Sequence, residues 1–246
     1  MPFEYIAVEE AIERPGLRMV VVGGVPSPWG EAAKGILHVK KIEWCAVRLD
    51  YESEALKGWA GQRSGPVAIY EKERPRAGWA EILLLAERLA PEPRLVPQDA
   101  FERALLFGLS HELVGEGGLA WTRRLQLVHA GLQGGGGFPP QVAKYLARKY
   151  GYTPALGASA GARLASLLGM LAQRLQGRAY YLGDRLSAAD IYSATCMAMF
   201  RPLPEAQCRM DPVTRQVFSA PQDVDPALFE HRDRIYAKYL ELPLRL

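Results

Sequence analysis

A chain of 246 residues with 49% hydrophobic and 23% charged side chains has enough apolar surface for one large domain or two modest ones, which excludes a disordered chain. Its net charge of +3, with acids and bases interspersed, is too weak and dispersed to argue for a nucleic-acid partner. No unbroken run of about 18 apolar residues is found, so no membrane span is expected, and residues 1–16 lack the basic and apolar regions of a secretory signal, so a cytoplasmic protein is expected.

Residues 1–16 carry no readable role and are set apart as an N-terminal extension. Residues 17–23, LRMVVVG, are apolar and β-branched and read as a buried strand. The Pro/Gly loop GVPSPWG leads into 29–42, where AAKGILHVKKI spaces its apolar residues for a helix. CAVRLD at 45–50 is a second strand. A strand–helix–strand unit favours a parallel pair with a right-handed crossover. The polar stretch 51–65 reads as an irregular helix or turn. Pro66 opens a third strand over 67–70, EKERPRAG is a charged turn, and WAEILLLAERL at 79–89 is a helix with its polar side chains on one side. Residues 1–90 thus form an α/β domain of order β-α-β-α-β-(β)-α. Three prolines in 90–99 mark a linker, assigned to 91–99. No convincing strand follows. Residues 100–132 read as one long helix or two, with GEGG at 115–118 as the interruption, and the glycines 134–137 as a flexible loop. Helices over 141–150, 159–175, 187–200 and 226–240 complete an all-helical domain of 100–246.

The string GDRLSAADIY at 183–192 is the most specific. Ser187 followed three residues later by Asp190 is a capping box in acidic form. The hydroxyl is expected to accept from the Asp190 N–H, and the carboxylate to reach back to the Ser187 N–H. Leu186 and Ile191 take the staple positions. Alone, this describes a well-capped core helix. The full pattern Gly-Asp-x-Leu-Ser-x-Ala-Asp resembles the capping box and staple in the C-terminal domain of glutathione S-transferases, and the element order before the linker resembles the thioredoxin-like domain that these proteins place first. The resemblance spans roughly residues 17–200. It implies an α/β thioredoxin-like N-terminal domain plus an all-α helical C-terminal domain, glutathione as co-substrate, a small electrophilic second substrate and a homodimer.

The resemblance puts the chemistry in the loop Val25-Pro26-Ser27-Pro28-Trp29-Gly30, at the place of the CxxC of thioredoxins and the Ser-Pro-x-x of several transferase classes. Ser27 aligns with the first active-site residue and Gly30 with the second cysteine. Without a thiol there, dithiol redox chemistry and a mixed protein–glutathione disulfide are excluded for this loop. A hydroxyl at a helix N-terminus donates to a thiolate, and the helix N–H groups add positive partial charge. Both lower the pKa of a bound thiol. The plainer alternative is that Ser27 is only an N-cap. Pro28 and Trp29 belong to the same binding loop. The family's cis-proline maps to Pro66, and the cysteinyl part of glutathione to the backbone of Gly65, Pro66 and Val67. The acidic residue and serine that usually hold the γ-glutamyl group map to Ala77, Gly78 and Trp79, which lack those side chains. Backbone N–H groups there, with Arg76, are the expected substitutes. The electrophile pocket is expected on the first long helix of the C-terminal half, which carries His111, Glu112, Trp121, Arg123 and Arg124. Of these His111, Trp121 and Arg124 are assigned to the pocket, Trp121 and Arg124 sharing a face. The alternative is an ordinary solvated or packed helix face.

Cys45, Cys196 and Cys208 show neither metal-ligand spacing nor a disulfide framework. Cys45 and Cys196 read as buried thiols of a reducing compartment. The histidines at 38, 111, 129 and 231 are scattered, and no metal site is expected. Gly157-Ala158-Ser159-Ala160-Gly161 matches the G-x-S-x-G elbow of α/β-hydrolases, followed in chain order by Asp184 or Asp190 and then His231. The strand such an elbow needs is missing, so a Ser159 hydrolase is a remote alternative. The leading expectation is thiolate addition to an electrophile. Its rival is a binding or scaffold protein that kept the fold without the activity, which the absent acidic–serine pair favours.

Overall fold

The computed structural model describes residues 3–246. The chain opens with the strand β1 (Glu4–Tyr5) and helix α1 (Val8–Glu13). Then come β2 (Leu17–Val21), α2 (Pro28–Val39), β3 (Trp44–Arg48), α3 (Glu54–Ala60), β4 (Val67–Tyr70) and α4 (Trp79–Leu89). The strands form one sheet in the order β1-β3-β2-β4. β2 and β3 run parallel, Leu17 opposite Trp44, as the crossover through α2 requires. β4 adds antiparallel to β2, Leu17 opposite Tyr70.

β2 is buried along its whole length, and its two-residue period feeds two cores. Met19 and Val21 join the large core with Ile36 of α2 and Leu83 of α4. Val20 joins a smaller cluster with Ala11, Val47 and Leu56 under α1 and α3. The segment before Leu17, set apart above as an extension, is therefore built into this layer. β1 lies beside β3, Glu4 opposite Cys45, and Ala11 is fully buried. The polar stretch after β3 contains a regular helix, α3, which Ser53 caps by accepting from Leu56 N at 3.1 Å. The bracketed fourth strand shrinks to a single bridge between Ala68 and Arg76, since Pro75 removes a donor from that turn.

The rest is helical: α5 (Ala100–Val114), α6 (Leu119–Leu132), α7 (Pro140–Lys149), α8 (Pro154–Leu175), α9 (Ala188–Cys196) with a 3-10 turn over Met197–Met199, α10 (Pro212–Phe218) and α11 (Pro226–Tyr239). GEGG does separate α5 from α6. α8 begins before residue 159, because the Thr153 side chain caps it by accepting from Leu156 N at 3.2 Å. α10 has no counterpart in the sequence reading. α8 bears on the membrane expectation, although Arg163 and Arg174 interrupt its apolar run. It has 22 residues and a mean hydropathy of 1.4 over its best window, long and apolar enough by composition to cross a membrane. Here its Leu164, Leu167, Leu168 and Leu171 are buried. Arg163 pairs with Glu112, and Arg174 donates to the Tyr181 carbonyl at 3.0 Å.

Every residue of α9 is buried, and the helix packs against α2, α5 and α11. The Asp190 carboxylate accepts from Ser187 N at 2.8 Å, as the capping box requires. The Ser187 hydroxyl donates to the same oxygen at 2.7 Å instead of accepting from the Asp190 N–H. The other oxygen accepts from Tyr181 N and meets His231 Nε2, both at 3.0 Å. Burying a carboxylate is tolerable only with such a set of partners. Cys196 is buried, but Cys45 is only half-buried, lying opposite Glu4 of the two-residue edge strand β1.

Candidate active site

Ser27 is the N-cap of α2, extended at φ −67° and ψ 124°, and Pro28 holds the first helical position, where its missing N–H costs nothing. The hydroxyl makes no hydrogen bond to the helix. Ser27 is only 5% exposed, and it lines a cavity of about 600 Å³. The plain capping role is therefore not what the side chain does, and its donor is spare. A β-carbon at Gly30 would lie 3.9 Å from Ser27 Oγ, so the two key positions of the loop do face each other.

Trp29 follows in the first turn of α2. Its ring lines the cavity, and its Nε1 donates to the Val114 carbonyl at the end of α5 at 2.7 Å. That bond ties the loop to the helical half. Gly65 and Pro66, joined by a cis peptide bond, and Ala77 complete the α/β wall; Trp121 and Arg124 of α6 face them. The cavity thus gathers Ser27, Trp29, Gly65, Pro66, Ala77, Trp121 and Arg124.

Five expected residues do not line it. Pro28 is buried in the first turn of α2. Val67 points to the opposite face of the sheet, packed with Val20 and Val47. Arg76 is held by Glu73 at 2.6 Å. Gly78 caps α4, and its N–H donates to Glu81 Oε2 at 3.1 Å, so one donor expected for a carboxylate is already occupied. His111 is exposed on α5, because the break after Val114 leaves only α6 facing the cavity. Glu112 is paired with Arg163. Arg123 is a core residue, donating to the carbonyls of Met199 at 3.1 Å and Ala220 at 2.7 Å. Burial pushes its pKa down to about 10.

The sequence reading missed Tyr51, Gln62 and Ser64 on the α/β wall, and Lys149, Tyr150 and Phe218 on the helical one. Gln62 and Ser64 stand just before Gly65-Pro66, and that adjacency was an available signal. Arg124 is 9% exposed. Its guanidinium lies 5.5 Å from the Trp29 ring centroid and 5.6 Å from that of Tyr150. The Lys149 pKa is lowered, first by burial and then by the charge of Arg124. The Tyr150 pKa is raised by burial, against the opposing influence of Arg124.

The hydrolase alternative fails here. Ser159 lies inside α8, exposed, and its hydroxyl donates to the Leu156 carbonyl at 3.2 Å. His231 is buried against Asp190. Among the described residues, no group of three or more His, Cys, Asp or Glu is placed to hold a metal ion.

No family model matches the sequence, and no curated protein matches it. Solved structures do match the fold. A glutathione S-transferase domain-containing protein of Marinobacter aquaeolei VT8 aligns over 90% of this chain and 98% of its own, at 17% identity and a TM-score of 0.67. A glutathione transferase family member from Pseudomonas fluorescens Pf-5, with two glutathione bound, aligns over 94% of each chain at 15% identity and a TM-score of 0.63. A glutathione S-transferase from Methylobacterium radiotolerans JCM 2831, in complex with glutathione sulfonate, aligns over 90% of this chain and 91% of its own at 19% identity and a TM-score of 0.56. This chain has the glutathione S-transferase fold, a thioredoxin-like domain followed by an all-helical one.

Proposed function

We propose that this protein is a glutathione transferase that adds the thiolate of glutathione to a small electrophile. The observation that carries the proposal is the Ser27 hydroxyl, a donor unused by its own helix on the wall of the cavity. The thiol docks against Ser27 and loses its proton to solvent. The hydroxyl donates to the resulting sulfur anion, and the first N–H groups of α2 add positive partial charge. The thiolate then attacks an electrophilic carbon. A carbon–sulfur bond forms, and a leaving group such as a halide departs with its bonding pair. Rate enhancement comes from thiol acidity and from positioning. Glutathione and its sulfonate in solved structures of this fold support the choice of thiol.

The backbone around Gly65 to Val67 is assigned to the cysteinyl part, and the start of α4, at Ala77 and Gly78, to the γ-glutamyl part. The division into residues 1–90, 91–99 and 100–246 belongs to the same proposal, as does a cytoplasmic location, which the three free cysteines support. We assign a homodimer through α4 and α5. Phe101 is 87% exposed, with Leu84 and Leu105 also exposed on these helices, an apolar surface that a second copy would cover.

Calorimetric titration with glutathione and an assay of chloride release from chlorodinitrobenzene test the proposal. Binding and turnover are expected, with turnover depressed in Ser27→Ala. Absence of glutathione binding would overturn it. One observation favours the rival scaffold role: the start of α4 lacks holding side chains, and Glu81 occupies the Gly78 N–H. Binding without turnover, unchanged in Ser27→Ala, would establish that role instead.

A further inference from the structure

We infer that the electrophile carries an anionic group on an aromatic frame, a carboxylate or sulfonate held by Arg124 with Lys149 beside it. The inference rests on the proposed function, since it places the second substrate in the cavity that Ser27 lines.

Buried arginines in this chain are otherwise satisfied. Arg18 donates to the carbonyls of Ala11, Gly16 and Glu71. Arg123 donates to two carbonyls and to Gln126. Arg232 is paired with Asp233 at 2.7 Å and donates to the Arg201 carbonyl. Arg124 is the exception. It is 9% exposed, its Nε is buried without a partner, and none of its nitrogens makes a hydrogen bond or ion pair among the described residues. A buried cation left alone is costly, so its counter-charge is expected from a ligand.

The surroundings define that ligand. The guanidinium lies against two rings, Trp29 and Tyr150, and a guanidinium fork matches a planar carboxylate in bidentate fashion. Lys149 adds a second positive charge on the same cavity. The acid among the lining residues is Asp211, and it serves as the cap of α10, accepting from Thr214 N at 3.0 Å. It makes no pair with either cation. Trp121 meets Tyr150 edge-on at 4.6 Å, so the wall next to the cations offers flat apolar faces suited to an aryl group. Because Arg124 covers the ring two residues after Ser27, an anion anchored there brings the attached ring toward the start of α2.

The probe is para-chloro-meta-nitrobenzoate, compared with its uncharged methyl ester. Each is titrated by calorimetry, without glutathione, into wild type, Arg124→Met and Arg124→Lys. Glutathione is titrated separately. Wild type is expected to bind the acid about tenfold or more tightly than the ester, the loss attached to a charge-assisted contact. Arg124→Met is expected to erase that preference with its glutathione isotherm unchanged, and Arg124→Lys to restore part of it. Equal affinity of wild type for acid and ester overturns the inference. So does an Arg124→Met protein that keeps the preference but loses glutathione, which would assign Arg124 to the peptide. Should Arg124→Met not fold, the wild-type comparison decides alone, with added salt weakening the acid but not the ester. Because the probe is titrated without glutathione, failure of the transferase reading leaves this result legible.

Discussion

Replacing Ser27 with alanine removes one oxygen from the cavity wall and leaves the start of α2 otherwise intact, because the hydroxyl makes no bond to the helix. In the proposed thiolate complex that oxygen would supply a charge-assisted hydrogen bond of about 1.5–3 kcal/mol. The helix terminus supplies about 0.3–1 kcal/mol. At about 1.4 kcal/mol per pKa unit, the hydroxyl lowers the bound thiol by roughly one to two units and the helix end by less than one. From an ordinary value of about 8.5, the bound thiol is expected to titrate between about 6 and 7 in wild type and at about 8 in the variant. The assay is kcat/KM for chlorodinitrobenzene with glutathione saturating, followed against pH. Activity rises as the thiolate forms, so wild type levels off above about pH 7 while the variant climbs until about pH 9. Near pH 6 the variant is expected to lose roughly tenfold to hundredfold, and far less at alkaline pH. Ser27→Thr, which keeps a hydroxyl, restores the midpoint. Coincident midpoints in Ser27→Ala and wild type would refute the reasoning, whatever the change in absolute rate.

Asp190→Ala leaves the Ser187 and Tyr181 N–H groups and His231 Nε2 without their acceptor. A loss of about 3–5 kcal/mol in urea unfolding is expected, and a loss well under about 1 kcal/mol would show that the network is not a stability determinant. Trp29→Phe keeps a ring beneath Arg124 but strands the Val114 carbonyl, costing about 1–3 kcal/mol by the same measurement. Phe101→Glu puts a charge in the exposed apolar surface of α5. Sedimentation should show a shift from dimer toward monomer, and a wild type that is already monomeric rejects the assigned interface.

Elements with a strong period and clear end signals were legible. α4 runs over Trp79–Leu89 as read, between Gly78 and the prolines after Ala90. α10 was not, because seven residues hold too little period, and its start depends on the Asp211 cap. β1 is only two residues long, and its pairing exists only beside β3. Within the site, the errors have local causes. Val67 follows Pro66 along the chain, yet successive strand residues face opposite sides, so one lines the cavity and the other the small core. Arg76 closes the turn after β4 by bridging Ala68, and within that turn it pairs with Glu73. What no spacing could disclose is that neighbours Arg123 and Arg124 part ways, one to backbone carbonyls and the other to the cavity.

That parting gives the cavity two unlike walls. The α/β wall offers a neutral hydroxyl and backbone at Ser27, Gly65 and Ala77, suited to a thiol peptide. The helical wall offers cations and rings at Trp121, Arg124 and Lys149, suited to an aryl anion. Trp29 belongs to both. Its indole N–H is fixed to Val114 of α5, its ring carries Arg124, and its backbone is one residue into the helix that Ser27 caps. On the proposed function, thiol activation and electrophile choice would therefore share a side chain. Removing the ring altogether, in Trp29→Ala, should move both the pH midpoint and the preference for acid over ester, whereas Arg124→Met should move mainly the second. Independent behaviour of the two readouts in Trp29→Ala would mean that the walls act separately and that the indole is only packing.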